Sequence, residues 1–335
     1  MSVKNKNSAR VVVSAIIGNF LISVAKLVGW FFTYSPSMLA ETIHSFADTT
    51  NQALLYVGIR HSNQKPTRRF PMGRGLAQYM WNLISAIGIF FVGFGVTIYH
   101  GFHSLITTFD DSKYSISWVA VTVLLLAFLI EGTVFFIALK EVLRKKKGLA
   151  FFQFFRVSDD PTLIAVLFED GIAVLGVFLA GIGMWTSYIL QSPIPDAIVS
   201  IIIACLLGVM AVILAFTNAK FLIGTAVSAS EEQEIREFIE AMPEVEKVTR
   251  ITTAILGPGI VRLSVELEFH GGILIDPRQI SRDADKIRSG EADPLQILVD
   301  TSERMVRMLG NKINDIERKL RSHFSKLTVI DVEVN

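Results

Sequence analysis

Six stretches long and apolar enough to cross a bilayer follow one another in the first 224 residues, at about 11–33, 37–60, 78–105, 116–141, 161–187 and 194–223. A membrane helix needs roughly 20 mostly apolar residues. A backbone surrounded by hydrocarbon favours the helix, because each N–H and C=O finds its partner inside the segment. Six such spans in succession predict an α-helical membrane protein. A soluble core helix can mimic one apolar run, but not six with alternating loop charge. Composition agrees: 51% of residues are hydrophobic, 19% are charged, and mean hydropathy is +0.48, outside the balance of a water-soluble domain.

Loop charge sets the expected orientation. Lys4, Lys6 and Arg10 precede the first span; Arg60, Lys65, Arg68, Arg69 and Arg74 fill the second loop; Arg144, Lys145, Lys146, Lys147 and Arg156 fill the fourth. The other loops hold little beyond Lys113, which stands beside Asp110 and Asp111. Basic loops stay on the cytoplasmic side, so both termini are expected there, or in an equivalent compartment. The first span is too long for a signal peptide and lacks a small-residue cleavage pattern. The lone Cys205, in an apolar run, supports neither a disulfide framework nor a thiolate zinc site. A formal net charge of +1 gives no footprint of a nucleic-acid partner, and none is expected.

Charged residues become frequent after about Gly224. Two domains are expected: residues 1–226 in the membrane, and residues 227–335 as a small cytoplasmic α/β unit. Ser230 to Gln233 reads as a capping box opening a helix that ends near Pro243. A strand over 245–256, the turn Gly257-Pro258-Gly259, and alternating Val261, Leu263, Val265, Leu267 and Phe269 predict two strands with a buried face. A polar insert near 271–300 comes next, without an assigned fold. Val306, Leu309, Ile313, Ile316 and Leu320 recur at helical spacing, and a final strand runs from Leu327 to Val334. The order is α-β-β-α-β, a small sheet with helices on one face.

The second span contains "AETIHSFADTTNQ". Residues three, four and seven apart share a helix face, so Glu41, His44, Asp48, Asn51 and Gln52 form one polar stripe. A charge at mid-membrane costs about 2.5–3.5 kcal/mol even on a lenient scale, so such a stripe faces protein or a wet cavity. An isolated histidine there reads as a structural hydrogen bond. A histidine and an aspartate at i and i+4 instead bring imidazole and carboxylate to one point, the donor types of borderline divalent ions. In the fifth span, "VLFEDGIAVLG" holds Glu169 and Asp170. Neighbours on a helix diverge by about 100°, and spacing alone leaves open which of the two faces the second span. Glu131 and Asn19 line the same cavity or serve packing, His100 and His103 read as interfacial, and Asp196 beside Pro195 reads as a helix cap.

The pattern "SMLAETIHSFADTTNQ", a basic loop, "GRGLAQYMWNLISAIGIFFVGFGVTIYHG", then "LFEDGIAVLG" and an α/β tail resembles the cation diffusion facilitator family, solute carrier family 30, most nearly its member-nine-like branch. The resemblance covers nearly the whole chain and is looser in the tail. It implies a multi-pass transporter rather than an enzyme, with no prosthetic group, exchanging a divalent cation for protons, with zinc the first expectation. The family's two i, i+4 ligand pairs fall on His44 and Asp48 and on Val166 and Asp170. Valine cannot bind metal, so three ligands are expected: His44, Asp48 and Asp170. Water, Asn51 or Glu169 is left for the fourth place, and Glu41 as a second-sphere group. Two carboxylates and a neutral imidazole carry −2, which a divalent ion cancels. Losing one imidazole also admits manganese, iron or cobalt. The resemblance further implies a homodimer joined through the tail, in a cell membrane if bacterial and an organelle membrane if eukaryotic. The family's regulatory histidines fall on Ser264 and Val332, so no tail zinc cluster is expected, and His270 and His323 read as solvent-facing. Other readings are a non-transporting metal-sensing scaffold, and an intramembrane metallohydrolase, for which the His-Glu-x-x-His signature is missing.

Overall fold

A computed structural model of the chain describes residues 3–107, 117–145 and 161–335. The basic residues of the fourth loop from Lys146 to Arg156, and Lys113 with its acidic neighbours, lie outside them. The chain divides into two compact units, Met1–Asn63 with Ala77–Leu222, and Gln64–Leu76 with Ile223–Asn335.

Among the described residues the first unit is six helices: α1 (Val3–Thr33), α2 (Pro36–Ser62), α3 (Ala77–Thr107), α4 (Trp118–Lys145), α5 (Pro161–Leu190) and α6 (Ile194–Ile223). Five of these are long and apolar enough to span a bilayer; α2 falls short. Its polar stripe lowers its hydropathy, and it survives as a helix because that stripe is buried against α1, α3 and α5. Ser35 caps it by accepting a hydrogen bond from the Met38 N–H, and Pro36 occupies the first turn, where no N–H is needed. Outward residues such as Phe91, Leu129 and Phe216 are exposed, as a lipid-facing surface requires.

α3 is not a uniform helix. Its centre, Ile89–Val96, is π-helical between two α-helical halves, a wider turn that rotates the second half relative to the first. Beyond it, Gly101 meets α6 so closely that a Cβ there would lie 2.7 Å from the Ile201 side chain. Tyr79 stacks on Phe221 of α6 at 4.5 Å.

The second unit carries α7 (Ala229–Glu240), β1 (Val245–Gly257), β2 (Ile260–Phe269), a 3-10 turn (Gly271–Leu274), α8 (Pro277–Arg288), α9 (Pro294–His323) and β3 (Leu327–Val334). β2 is central, antiparallel to β1 and parallel to β3. Val261, Leu263, Val265 and Leu267 are buried, and Ile235 and Ile239 of α7 and Ile316 and Leu320 of α9 join the same core. The helices therefore cover one face. Three details differ from expectation. The α7 cap is Ser228, whose side chain accepts from the Glu231 N–H. The insert holds a helix of its own, α8. The helix expected from about Val306 begins at Pro294. Asp276 and Asp293 cap α8 and α9, each followed by proline. At the β1 entry, Lys312 and Lys319 approach Glu244 at 3.3 and 3.5 Å. Burial would push the Glu244 carboxyl up, but a backbone hydrogen bond and the two lysines outweigh it and hold it below its ordinary range.

Candidate metal centre

α2 turns its polar stripe inward: Glu41, His44 and Asn51 are buried and Asp48 and Gln52 half-buried, with Ser45 and Thr49 buried beside them. One helical turn brings His44 Nε2 to 3.3 Å from Asp48 Oδ2; the two side chains are 2% and 18% exposed. Their alignment does not make a hydrogen bond. Both ring nitrogens of His44 stay buried with no hydrogen-bond partner among the described residues, as does Oδ2 of Asp170 on α5. Orphaned buried polar atoms are rare and costly. Imidazole nitrogen and carboxylate oxygen are also the atoms that hold a borderline divalent ion.

Asp170 lies within electrostatic reach of Asp48. Among the described residues, however, no group of three or more His, Cys, Asp or Glu side chains is assembled to hold a metal ion. His44 and Asp48 lie side by side, and Asp170 is not grouped with them in this conformation. The Val166 side chain lies outside the described residues.

The side chains around this pair are engaged with one another. Asn51 accepts a hydrogen bond from Ser85 of α3 at 2.8 Å and donates one to Glu169 of α5 at 3.0 Å. It therefore ties three helices together. Of the two neighbouring acids on α5, Glu169 is the one bonded to α2.

Glu41 holds a partner that the spacing of polar residues on α2 does not reveal. The Lys26 ammonium, on α1, donates to Glu41 Oε2 at 2.8 Å and to Glu131 Oε1 of α4 at 2.8 Å. Lys26 and Glu41 are 0% exposed and Glu131 15%. The remaining oxygens, Glu41 Oε1 and Glu131 Oε2, are buried without partners among the described residues. Gly176 of α5 gives Glu41 its room, since a Cβ there would collide with Glu41 Oε1. The sequence does carry a signal: Asn19, Ser23 and Lys26 recur at i, i+4 and i+7 in an apolar span. Ser23 Oγ, 3.2 Å from Thr49 Oγ1, confirms that this stripe faces α2.

Asp196 is more than a cap. Fully buried, it accepts hydrogen bonds from Ser35 at 2.5 Å and from Ser37, and its own N–H donates to Ser187. This clasp joins the start of α2 to the α5–α6 corner. His100 is half-buried and His103 exposed. In the tail, His270 sits 3.7 Å from Glu246, and the exposed His323 stacks on Phe238 at 4.2 Å.

A family model described as the cation efflux transmembrane domain matches residues 12–223. The mouse protein named "Proton-coupled zinc antiporter SLC30A9, mitochondrial" is 31% identical over 342 aligned positions, covering 100% of this chain and 60% of that protein. "Metal tolerance protein C4" of Arabidopsis thaliana is 29% identical over 347 positions, covering 100% of this chain and 75% of that one. The "Cation-efflux pump FieF" of Shewanella oneidensis is 23% identical over 264 positions, covering 78% and 82%. The chain thus spans about 60% of the length of the zinc antiporters it matches.

Proposed function

The chain belongs to the cation efflux family, and from the buried pair on α2 we propose that it exports a divalent metal ion across its membrane in exchange for protons, with zinc as the principal cargo. The observation that carries this reading is His44, sealed inside a bundle of membrane helices beside Asp48 with both ring nitrogens unpartnered among the described residues. In this reading His44, Asp48 and Asp170 hold the ion. Metal and protons compete for the same donor atoms, so binding one expels the other, and exchange results if the site opens to one side at a time. Asp170 completes the set when α5 shifts against α2. The names of the SLC30A9 relatives, zinc antiporters coupled to protons, support the cargo and the counter-ion. Both termini are assigned to the cytoplasmic side by loop charge.

The test is uptake of zinc into proteoliposomes holding an outward-directed proton gradient. The chain should drive zinc accumulation that collapses with the gradient. Equal accumulation without protein, or indifference to the gradient, would remove the proposal. Manganese, iron(II) and cobalt belong in the same assay as competitors, because Val166 takes away one imidazole. If manganese outcompetes zinc, the cargo assignment changes and the mechanism stands. Binding without flux would point to a sensor.

The tail is assigned the role of joining two copies. Leu295, Leu298, Val299 and Val306 on α9 are 53–71% exposed, an apolar stripe that gains by burial against a second copy. The detergent-solubilised chain should have twice its 37.2 kDa mass, and Leu298→Glu should return it to a monomer. A monomeric wild-type chain would refute this assignment.

A further inference from the structure

The Lys26 ammonium sits where an ion would. Carboxylates from two different helices converge on it at 2.8 Å each, in a position closed to solvent at Lys26 and Glu41. Each carboxylate keeps a second buried oxygen with no partner among the described residues. The backbone of α5 at Gly176 closes in on one of these, Glu41 Oε1. We propose that Glu41 and Glu131 form a second intramembrane cation site whose resident in the wild-type chain is the tethered ammonium of Lys26, and that this lysine thereby confines the protein to one metal ion.

The charge balance supports the assignment. Two carboxylates with one ammonium carry −1, and without the ammonium they carry −2, which a divalent ion cancels. Buried like charges without a counter-ion are costly. The donors are all oxygen, which suits hard ions such as manganese or calcium better than zinc. A metal–oxygen bond, about 2.3–2.6 Å for calcium, needs only a small inward shift from the present 2.8 Å. Removing the lysine should therefore create a site selective for a harder ion than the one His44 receives. The confinement to one cargo ion rests on the transport reading; the existence of the second site does not.

The experiment is a manganese titration of the full chain in detergent micelles, with free Mn2+ read by electron paramagnetic resonance. All proteins carry His44→Ala, so that the α2 pair contributes nothing. Lys26→Ala should take up one more Mn2+ per chain than its Lys26 parent. Adding Glu131→Gln should abolish that gain, and Lys26→Arg should show none. If Lys26→Ala melts like its parent yet binds no extra manganese, the proposal is overturned. If Lys26→Ala is too unstable to titrate, its melting temperature is followed in membranes against added Mn2+. A rise absent from the parent supports the site, and no rise overturns it. A transport assay that fails in the wild type while the manganese gain persists would refute only the transport reading.

Discussion

Alanine at His44 should reduce proton-driven zinc flux by more than a hundredfold, and alanine at Asp48 should do the same. Removing a group that merely orients a metal ligand weakens binding by about 10–100-fold, so losing a donor itself costs more. The fold should tolerate the change at His44. Among the described residues its ring nitrogens make no hydrogen bond that alanine would break, and the substitution removes two buried polar atoms whose demand is unmet there. Flux and melting temperature should therefore separate: the first collapses and the second moves little. Asp170→Ala should match the other two if the ion draws that carboxylate in during the cycle. Asn51→Ala should reduce flux while also lowering the melting temperature, because Asn51 joins Ser85 and Glu169. Asp48→Ala protein moving zinc at the wild-type rate would end the assignment of this pair.

The second large effect concerns stability. Glu41→Ala should destabilise the membrane unit by about 3–5 kcal/mol, the usual cost of taking one partner from a buried ion pair. The residual Lys26–Glu131 contact involves a carboxylate that is itself partly exposed and does not replace the lost one. The same principle predicts the opposite for concerted replacement. Lys26→Met, Glu41→Leu and Glu131→Gln together should restore most of the loss, since apolar groups of similar volume often match or exceed a buried ion cluster. Thermal melts of the detergent-solubilised chain measure both. If the triple variant is as unstable as Glu41→Ala, the cluster acts through shape and packing, and the electrostatic account fails. A partial check is Gly176→Ala, which would force the Glu41 carboxylate out of its place and should cost about 1–3 kcal/mol as overpacking.

The parts of this molecule legible in its sequence are those in which periodicity and environment agree. The helices of the first unit follow from the length of their apolar runs and β2 from its alternation, because a bilayer sets a length and a half-buried sheet sets a period of two. The stripe on α2 is equally legible, since five polar residues at helical intervals have only an interior to face. Lys26 escapes such a reading for a physical reason: one cation in an apolar helix looks like a minor flaw until the two carboxylates that neutralise it, 15 and 105 positions away, are known to meet there. Distance along the chain hides such a cluster. The α8 and α9 starts are available in principle, as Asp276-Pro277 and Asp293-Pro294 each supply a capping carboxylate and a proline for the first turn. The polar composition around them obscures that signal. Nothing in the spacing of apolar residues in α3 marks its π-helical centre, Ile89–Val96. The choice between Glu169 and Asp170 depends on the packing of helices.

The clasp of Ser35 and Ser37 on Asp196 anchors one end of α2, which would make that end the fulcrum of any tilt of the helix. A rod held there swings least near the fulcrum, and displacement grows in proportion to distance along it. His44 lies eight residues beyond Pro36 in a helix of 27, so it would travel roughly a third as far as the tip at Ser62. A tilt about that end would therefore move the proposed metal site by about a third of the distance covered at the tip.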